Sequence, residues 1–174
     1  GQYGLDWRLV AAIMYAESRF DGDRVSPSGA SGLMQLMPST ANELGVRTPS
    51  DPESSIHAGT RYLRRLIDRF DPELPLEARI RFALASYNAG VGHVEDARRL
   101  AAALGWSPDR WYGSVERALL LLQDPRYYLD SRYGYCRAWE TVRYVAQIDR
   151  TYRTYVEHVA DALAAVDEVE APPS

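Results

Sequence analysis

The sequence predicts an all-α fold, and three observations support this prediction. Apolar residues recur at helical spacing in several segments, as in the series Leu9, Val10 and Ile13. Residues that typically start or end helices flank these segments, for example Asp51 before a proline and Gly90 after a long apolar series. No stretch of useful length alternates between apolar and polar residues, as a half-buried strand would. We therefore expect helices with little or no sheet.

Composition limits the classes of function. The chain has 174 residues, of which 46% are hydrophobic and 25% charged, as in a soluble globular domain. Its net charge of −4 gives no electrostatic case for binding nucleic acid. No apolar run is long enough to span a bilayer. Cys136 is the single cysteine, so an intrachain disulfide is impossible.

The first helix is predicted to run from Asp6, its N-cap, to Phe20. Residues three, four and seven apart share a helix face, which places Glu17 on the same apolar stripe as Ile13 and Phe20. Burial disfavours the charged form of a carboxyl, so we expect the pKa of Glu17 to be raised, as a general acid requires. From the pattern alone, a structural glutamate that a backbone group or an arginine satisfies is the better explanation.

The remaining elements follow from their start and stop signals. One or two short helices are predicted over Leu33–Leu44, interrupted at Pro38 and closed by Gly45. They are followed by a helix opened by Asp51-Pro52-Glu53, a helix from Pro75 to near Gly90 and a helix over Val94–Leu104. The last predicted elements are a capped turn at Ser107-Pro108-Asp109, a helix over Ser114–Leu122, an irregular segment Gln123–Gly134 and a long helix over Arg137–Val166.

Four short motifs are far apart in the chain, and each falls on a predicted element or loop. They are Glu17-Ser18, Gly32-Leu33-Met34-Gln35-Leu36-Met37-Pro38, Ala85-Ser86-Tyr87-Asn88-Ala89-Gly90, and Glu140-Thr141 followed by Tyr144-Val145. In this order they resemble the catalytic domain of the lytic murein transglycosylases, a family that shares its fold with goose-type lysozyme. The resemblance covers about Tyr3 to Val159.

Within that family the sequence is most similar to the membrane-bound F type. This closer likeness depends on four further stretches of sequence: Tyr3-Gly4-Leu5-Asp6-Trp7-Arg8-Leu9, Gly92-His93-Val94-Glu95-Asp96-Ala97-Arg98, Pro108-Asp109-Arg110-Trp111, and Gly134-Tyr135-Cys136-Arg137.

The resemblance implies a lysozyme-like helical domain with a substrate groove, and a reaction on peptidoglycan. Such enzymes cleave the β-1,4 bond between N-acetylmuramic acid and N-acetylglucosamine without adding water, and leave a 1,6-anhydro ring. One carboxyl can act first as acid and then as base, and the substrate's N-acetyl group replaces a second carboxylate. Glu17 matches the family's catalytic acid/base.

The resemblance also assigns the other site residues. Ser26 is expected near the acetamido group, Met34 and Gln35 along the glycan cleft, and Tyr87 near the catalytic carboxyl. The remaining expected substrate contacts are Asn88, Glu140 and Tyr144. No cofactor is implied, and the three histidines (His57, His93 and His158) lack ligand partners at metal spacing, so we expect no metal and interpret them as surface or structural residues.

Two other functions remain open from the sequence. A lysozyme-type muramidase on the same fold would need a positioned water and a second acid, for which Asp21 and Asp23 are the chain neighbours of Glu17. A glycan-binding module without catalysis is disfavoured, because the acid, the serine, the glutamine and the tyrosine are all present.

The implied substrate also suggests a location and a domain organisation. We expect a periplasmic, envelope-associated protein, outer-membrane-associated if it is of the F type, that is monomeric and contacts a membrane only through parts absent from this chain. Residues 1–166 are predicted to form the catalytic domain, and 167–174 a frayed C-terminal tail.

Overall fold

The structure, a computed structural model, describes the backbone of residues 3–170 and the side chains of residues 3–162. Within that part of the chain, strand-like pairing is limited to two isolated bridges, Val25 with Ser31 and Ser31 with Leu36. The all-α prediction is therefore confirmed. The helices are α1 (Trp7–Ser18), α2 (Pro38–Glu43), α3 (Pro52–Asp68), α4 (Leu76–Ala89), α5 (Val91–Ala103), α6 (Glu116–Leu121), α7 (Pro125–Tyr128) and α8 (Ala138–Glu170).

By internal packing the chain divides into two compact units. The first unit is residues 1–56 with 147–174, and the second unit is residues 57–146. The boundaries fall within α3 and α8. The expected single catalytic domain over 1–166 stays a prediction, as does the tail at 167–174, of which 171–174 lie outside the described residues. None of the helices described is both long enough and apolar enough to cross a membrane.

Helix α1 begins as the sequence predicts, with Asp6 as its N-cap. The Asp6 carboxylate accepts hydrogen bonds from the Arg8 backbone N–H at 2.9 Å and from the Tyr152 hydroxyl of α8 at 2.9 Å. It also forms an ion pair with the Arg8 guanidinium at 2.7 Å. These interactions, chiefly the side-chain bond from Arg8, lower the pKa of Asp6 to about 2.

The C-terminal end of α1 differs from the prediction. The helix stops at Ser18 rather than Phe20, because Arg19 and Phe20 both adopt left-handed backbone conformations, with φ of 58° and 63°. Phe20 is therefore outside the helix, and 49% of its surface is exposed. The buried stripe of α1 consists of Leu9, Val10, Ala12 and Ile13.

The segment Leu33–Met37 is not helical, which corrects the prediction of a helix beginning at Leu33. It folds back on Ser31, whose backbone exchanges two hydrogen bonds with Leu36, each of 3.1 Å. Pro38 starts α2 instead of interrupting a helix, and Gly45 ends it with φ of 70°.

In the second unit the core centres on Phe82 of α4, which is completely buried. Its ring packs against Phe70 at 5.3 Å between centroids and meets Trp111 edge-on at 6.2 Å. Arg98 of α5 covers the Phe82 ring, with its guanidinium carbon 5.1 Å from the centroid. Aromatic and cation–π contacts of this kind each stabilise a fold by about 1 kcal/mol.

Three further boundaries in the second unit differ from the predictions. Helix α5 begins at Val91, three residues before the expected Val94. Helix α6 begins at Glu116 after a wide turn over Trp111–Val115, in which Gly113 has φ of 74°. The segment expected to be irregular contains the short helix α7, which Asp124 caps through the Arg126 N–H at 2.9 Å.

Candidate active site

The last turn of α1 carries the predicted catalytic acid, and Ser18 fixes that turn. Ser18 is buried, and its hydroxyl lies 2.9 Å from the Leu33 carbonyl oxygen and 3.1 Å from the Met14 carbonyl oxygen. The hydroxyl therefore ties the helix end to the loop that follows. Glu17 is half-buried one residue before this tie, at the edge of the apolar stripe and not in its middle. The raised pKa expected for Glu17 stays a prediction.

Ser26 closes a tight loop within the first unit. Its backbone N–H donates to the Ala30 carbonyl at 2.8 Å, and its hydroxyl oxygen accepts from the Ala30 N–H at 3.0 Å. The side chain is half-buried. The Ser26 hydroxyl oxygen thus accepts a hydrogen bond within the loop, and its proton can still be donated to a ligand.

Gln35 holds the same loop from inside. Its amide nitrogen donates to the carbonyl oxygens of Arg24 and Gly32, both at 2.9 Å, and only 9% of the residue is exposed. Because both amide hydrogens are used within the loop, the amide oxygen is the atom that remains for a ligand. Gln35 also adopts φ of 46°, uncommon for a residue with a side chain.

The burial of Met34 does not fit its expected contact with the glycan. The residue has no exposed surface, so its side chain belongs to the core and not to the wall of a cleft. Its backbone N–H donates to the hydroxyl of Ser55, a fully buried residue of α3, at 3.2 Å. Ser55 is not among the predicted site residues; its signal in the sequence is a small polar residue on the apolar face of α3.

Gly32 is required by the packing of this loop. A Cβ atom there would lie 1.9 Å from the Pro49 carbonyl oxygen, and the φ of 80° is one that glycine adopts readily. No side chain could be accommodated without moving backbone.

In the second unit, Tyr87 and Asn88 lie on the last turn of α4. The half-buried Tyr87 ring packs against Tyr62 of α3, with centroids 5.3 Å apart. The exposed Asn88 accepts a hydrogen bond on Oδ1 from the hydroxyl of Thr141 at 2.7 Å. Thr141 is buried and joins α4 to α8, a role that the sequence analysis did not assign.

Glu140 and Asn88 line one cavity of about 450 Å³ in the second unit. Arg137, His93 and Tyr135 contribute to the same lining. The Arg137 and Glu140 side chains form a long ion pair of 3.9 Å. Tyr144, one turn further along α8, is largely buried, with 9% of its surface exposed.

Cys136 lies in the wall of this cavity. Burial, together with the negative charge of Glu140, raises the pKa of its thiol to about 11. The thiol is therefore protonated near neutral pH and is not suited to act as a nucleophile. In the part of the chain that the structure describes, no group of three or more histidine, cysteine or acidic residues could hold a metal ion.

Comparisons with known proteins agree with the resemblance in sequence. Residues 1–107 match the family model of the transglycosylase SLT domain. The membrane-bound lytic murein transglycosylase F of Vibrio vulnificus is 44% identical over 94% of this chain, and that of Marinobacter nauticus is 46% identical over 97%. The chain spans 31% and 32% of these two relatives, about a third of their length.

Solved structures agree in fold. The 70 kDa soluble lytic transglycosylase of Escherichia coli aligns over 89% of this chain and 23% of its own, with 25% identity and a TM-score of 0.58. An inactive mutant of the lytic transglycosylase Slt from Pseudomonas aeruginosa aligns over 91% of this chain and 23% of its own, with 24% identity and a TM-score of 0.61. Fold, motifs and family model agree, and the chain belongs to the transglycosylase SLT domain family.

Proposed function

We propose that this chain is a peptidoglycan lytic transglycosylase. It cleaves the β-1,4 bond between N-acetylmuramic acid and N-acetylglucosamine without water and releases 1,6-anhydro-muramoyl products. The observation that carries the proposal is the position of Glu17, half-buried on the last turn of α1. Membership in the SLT domain family supports it.

The local structure favours Glu17 as the acid. Partial burial disfavours a charged carboxylate, and the end of a helix carries partial negative charge, which disfavours it further. Both influences favour the protonated form, which can give its proton to the leaving oxygen.

The reaction then needs only one protein carboxyl. Glu17 protonates the leaving O4 of N-acetylglucosamine as the C1–O4 bond breaks, and the substrate's acetamido oxygen attacks C1 to give an oxazolinium-like intermediate. The Glu17 carboxylate next takes the proton of the C6 hydroxyl, whose oxygen displaces the acetamido oxygen at C1. The anhydro ring closes, and Glu17 is protonated again.

Other residues are also proposed to bind the glycan. These are the Ser26 hydroxyl proton, the Gln35 amide oxygen, the Tyr87 hydroxyl, the Asn88 amide, the Glu140 carboxylate and Tyr144. We leave Met34 out of this set, since its side chain is completely buried. The substrate also implies a place in the cell envelope, outside the inner membrane, and we propose a monomer that acts on glycan strands.

Mass spectrometry of the fragments released from purified peptidoglycan tests the proposal. Products one water lighter than reducing muropeptides are expected, and Glu17→Gln should lower their rate of release by about 10²–10⁴. Asp23→Asn is the matched control; its carboxyl is exposed, lies in the loop after α1, and should not be needed.

Two other outcomes would contradict the proposal. Reducing ends in place of anhydro ends would indicate a muramidase, and Asp21 and Asp23 would become candidates for its second acid. Unchanged release by Glu17→Gln would remove Glu17 from the mechanism.

Since the 70 kDa soluble enzyme has been solved in complex with bulgecin A, we also expect bulgecin A to bind this chain.

A further inference from the structure

The cavity of about 450 Å³ in the second unit carries opposite charges side by side. The Arg137 guanidinium and the Glu140 carboxylate approach to 3.9 Å, and 75% and 45% of their side chains are exposed. An ion pair this long and this exposed contributes little to stability. Each partner can therefore be turned towards a ligand at small cost.

Asn88 adds a hydrogen-bond donor to the same cavity. Its Oδ1 accepts from the buried Thr141 hydroxyl at 2.7 Å, which fixes the orientation of the side-chain amide. The Nδ2 hydrogens then remain for a ligand, because a carboxamide presents its two donors on the side opposite to its acceptor.

His93 supplies a second donor. Its Nδ1 is buried and has no hydrogen-bond partner among the residues described. In a neutral ring, a bare Nδ1 with the proton on Nε2 leaves no buried N–H unsatisfied. Since Nδ1 is buried, the part of the ring that can meet a ligand in the cavity is the edge that carries Nε2–H.

The first turn of α5 strengthens this donor set. The helix has no side-chain cap at Gly90, and Ala89 and His93, on either side of its start, both line the cavity. The partial positive charge of the helix start therefore adds to that of Arg137. Donors surround one side of the cavity, and Glu140 supplies the negative charge.

The segment that precedes the Arg137 wall is bonded to α5. The buried Asp96 carboxylate accepts the backbone N–H groups of Arg132 at 3.1 Å and Tyr133 at 2.7 Å. The Tyr133 ring fills the space above Gly92, where a Cβ atom would lie 2.5 Å from it. A site whose wall is held in advance loses less entropy when it binds a ligand.

We propose that this cavity binds a free amino-acid end group of a peptidoglycan peptide stem, in which an ammonium and a carboxylate share one carbon. Arg137, Asn88 and His93 hold the carboxylate, and Glu140 holds the ammonium. An uncharged sugar ring can form hydrogen bonds with these side chains, but only a ligand that carries both charges pairs with Arg137 and Glu140 at once. This inference rests on the proposed function, which supplies peptidoglycan as the substrate.

The test measures binding separately from turnover. A synthetic stem tripeptide ending in meso-diaminopimelate is titrated into the protein and followed by NMR chemical shifts. The same titration is made with a tripeptide in which the free amine of the diaminopimelate is acetylated. We expect the free tripeptide to bind about fivefold more tightly than the acetylated one, and Arg137→Gln to weaken its binding by about the same factor. Arg143→Gln, an exposed arginine of the same helix, should bind as the wild type does.

Equal affinity for the two tripeptides, no binding of either, or an equal loss in both arginine variants would overturn the inference. Thermal melting of both variants checks that they fold alike. Because the titration needs no catalysis, its result is separate from the release of anhydro products: binding without anhydro products would contradict only the proposed function, and anhydro products without binding only this inference.

Discussion

Glu17 is held in position by the residue that follows it. The Ser18 side chain is almost without exposed surface, and its hydroxyl provides the only protein donor described for the Leu33 carbonyl oxygen. Removing that hydroxyl leaves the carbonyl of the half-buried Leu33 without this donor. The position of the acid therefore depends on a small residue that makes no contact with substrate in the proposed mechanism.

We expect Ser18→Ala to lower the free energy of unfolding by about 1–3 kcal/mol, because the partly buried Leu33 carbonyl loses its hydrogen bond. Chemical denaturation measures this change. Ser86→Ala is a suitable comparison, because the buried Ser86 hydroxyl bonds only within its own helix, to the Phe82 carbonyl at 2.7 Å. Ser86→Ala should lower the free energy of unfolding by less than Ser18→Ala does. An equal decrease in the two variants would show that the bond from Ser18 to the loop is unimportant.

At the scale of elements, the loop between α1 and α2 depends on one glycine. Gly32→Ala would force a Cβ atom to within 1.9 Å of a backbone oxygen, in addition to the strain of positive φ. Gly45 at the end of α2 has a similar φ of 70° with no atom within 4 Å of the same Cβ position. The two positions therefore separate backbone strain from steric conflict.

Gly45→Ala should cost about 1 kcal/mol of stability, the usual penalty for a left-handed alanine. Gly32→Ala should cost several times more or prevent folding, because backbone must move. Comparing the melting temperatures of the two variants tests this difference. Similar losses in both would mean that the loop tolerates displacement.

The sequence was most informative where a helix signal is local. The Asp6 cap, the start of α3 and the end of α4 at Gly90 all depend on a cap, a proline or a glycine that acts on its own neighbours. The helix predicted over Leu33–Met37 was wrong, because contacts from Ser18 and Ser55, which are distant in sequence, override the helical spacing of this segment. A single sequence does not reveal such long-range partners.

Two other differences had signals that local reasoning could have used. Asp124-Pro125 is a cap followed by a first-turn proline, the same signal that correctly located α3. The early start of α5 follows from Gly90, whose φ of 89° lets one helix begin directly after another. For the site, the roles predicted for Asn88 and Glu140 remain proposals, and the burial of Met34 was visible only once the loop was folded.

For the whole molecule, the cap at Asp6 predicts how stability depends on pH. Its pKa is lowered to about 2, below that of an unfolded aspartate, about 3.9. The stabilisation is therefore present above about pH 4 and is lost as the pH falls towards 2.

Asp6→Asn keeps a good N-cap side chain but removes the charge. We expect its free energy of unfolding to depend less on pH between about 4 and 2 than that of the wild type. Denaturation at a series of pH values measures this. Parallel curves for the two proteins would show that Asp6 does not contribute to acid sensitivity.

The single thiol of the chain offers a natural reporter of motion. Raising the pKa of Cys136 to about 11 from 9.0 leaves roughly a hundredfold less thiolate near neutral pH, and burial keeps alkylating reagents away. Labelling with iodoacetamide should therefore be at least about a hundredfold slower in the native protein than in urea. The labelling rate of Cys136 in native buffer reports how often the segment beside Glu140 opens. A stem peptide that binds over this segment should lower the labelling rate, so its binding can be followed without an engineered probe.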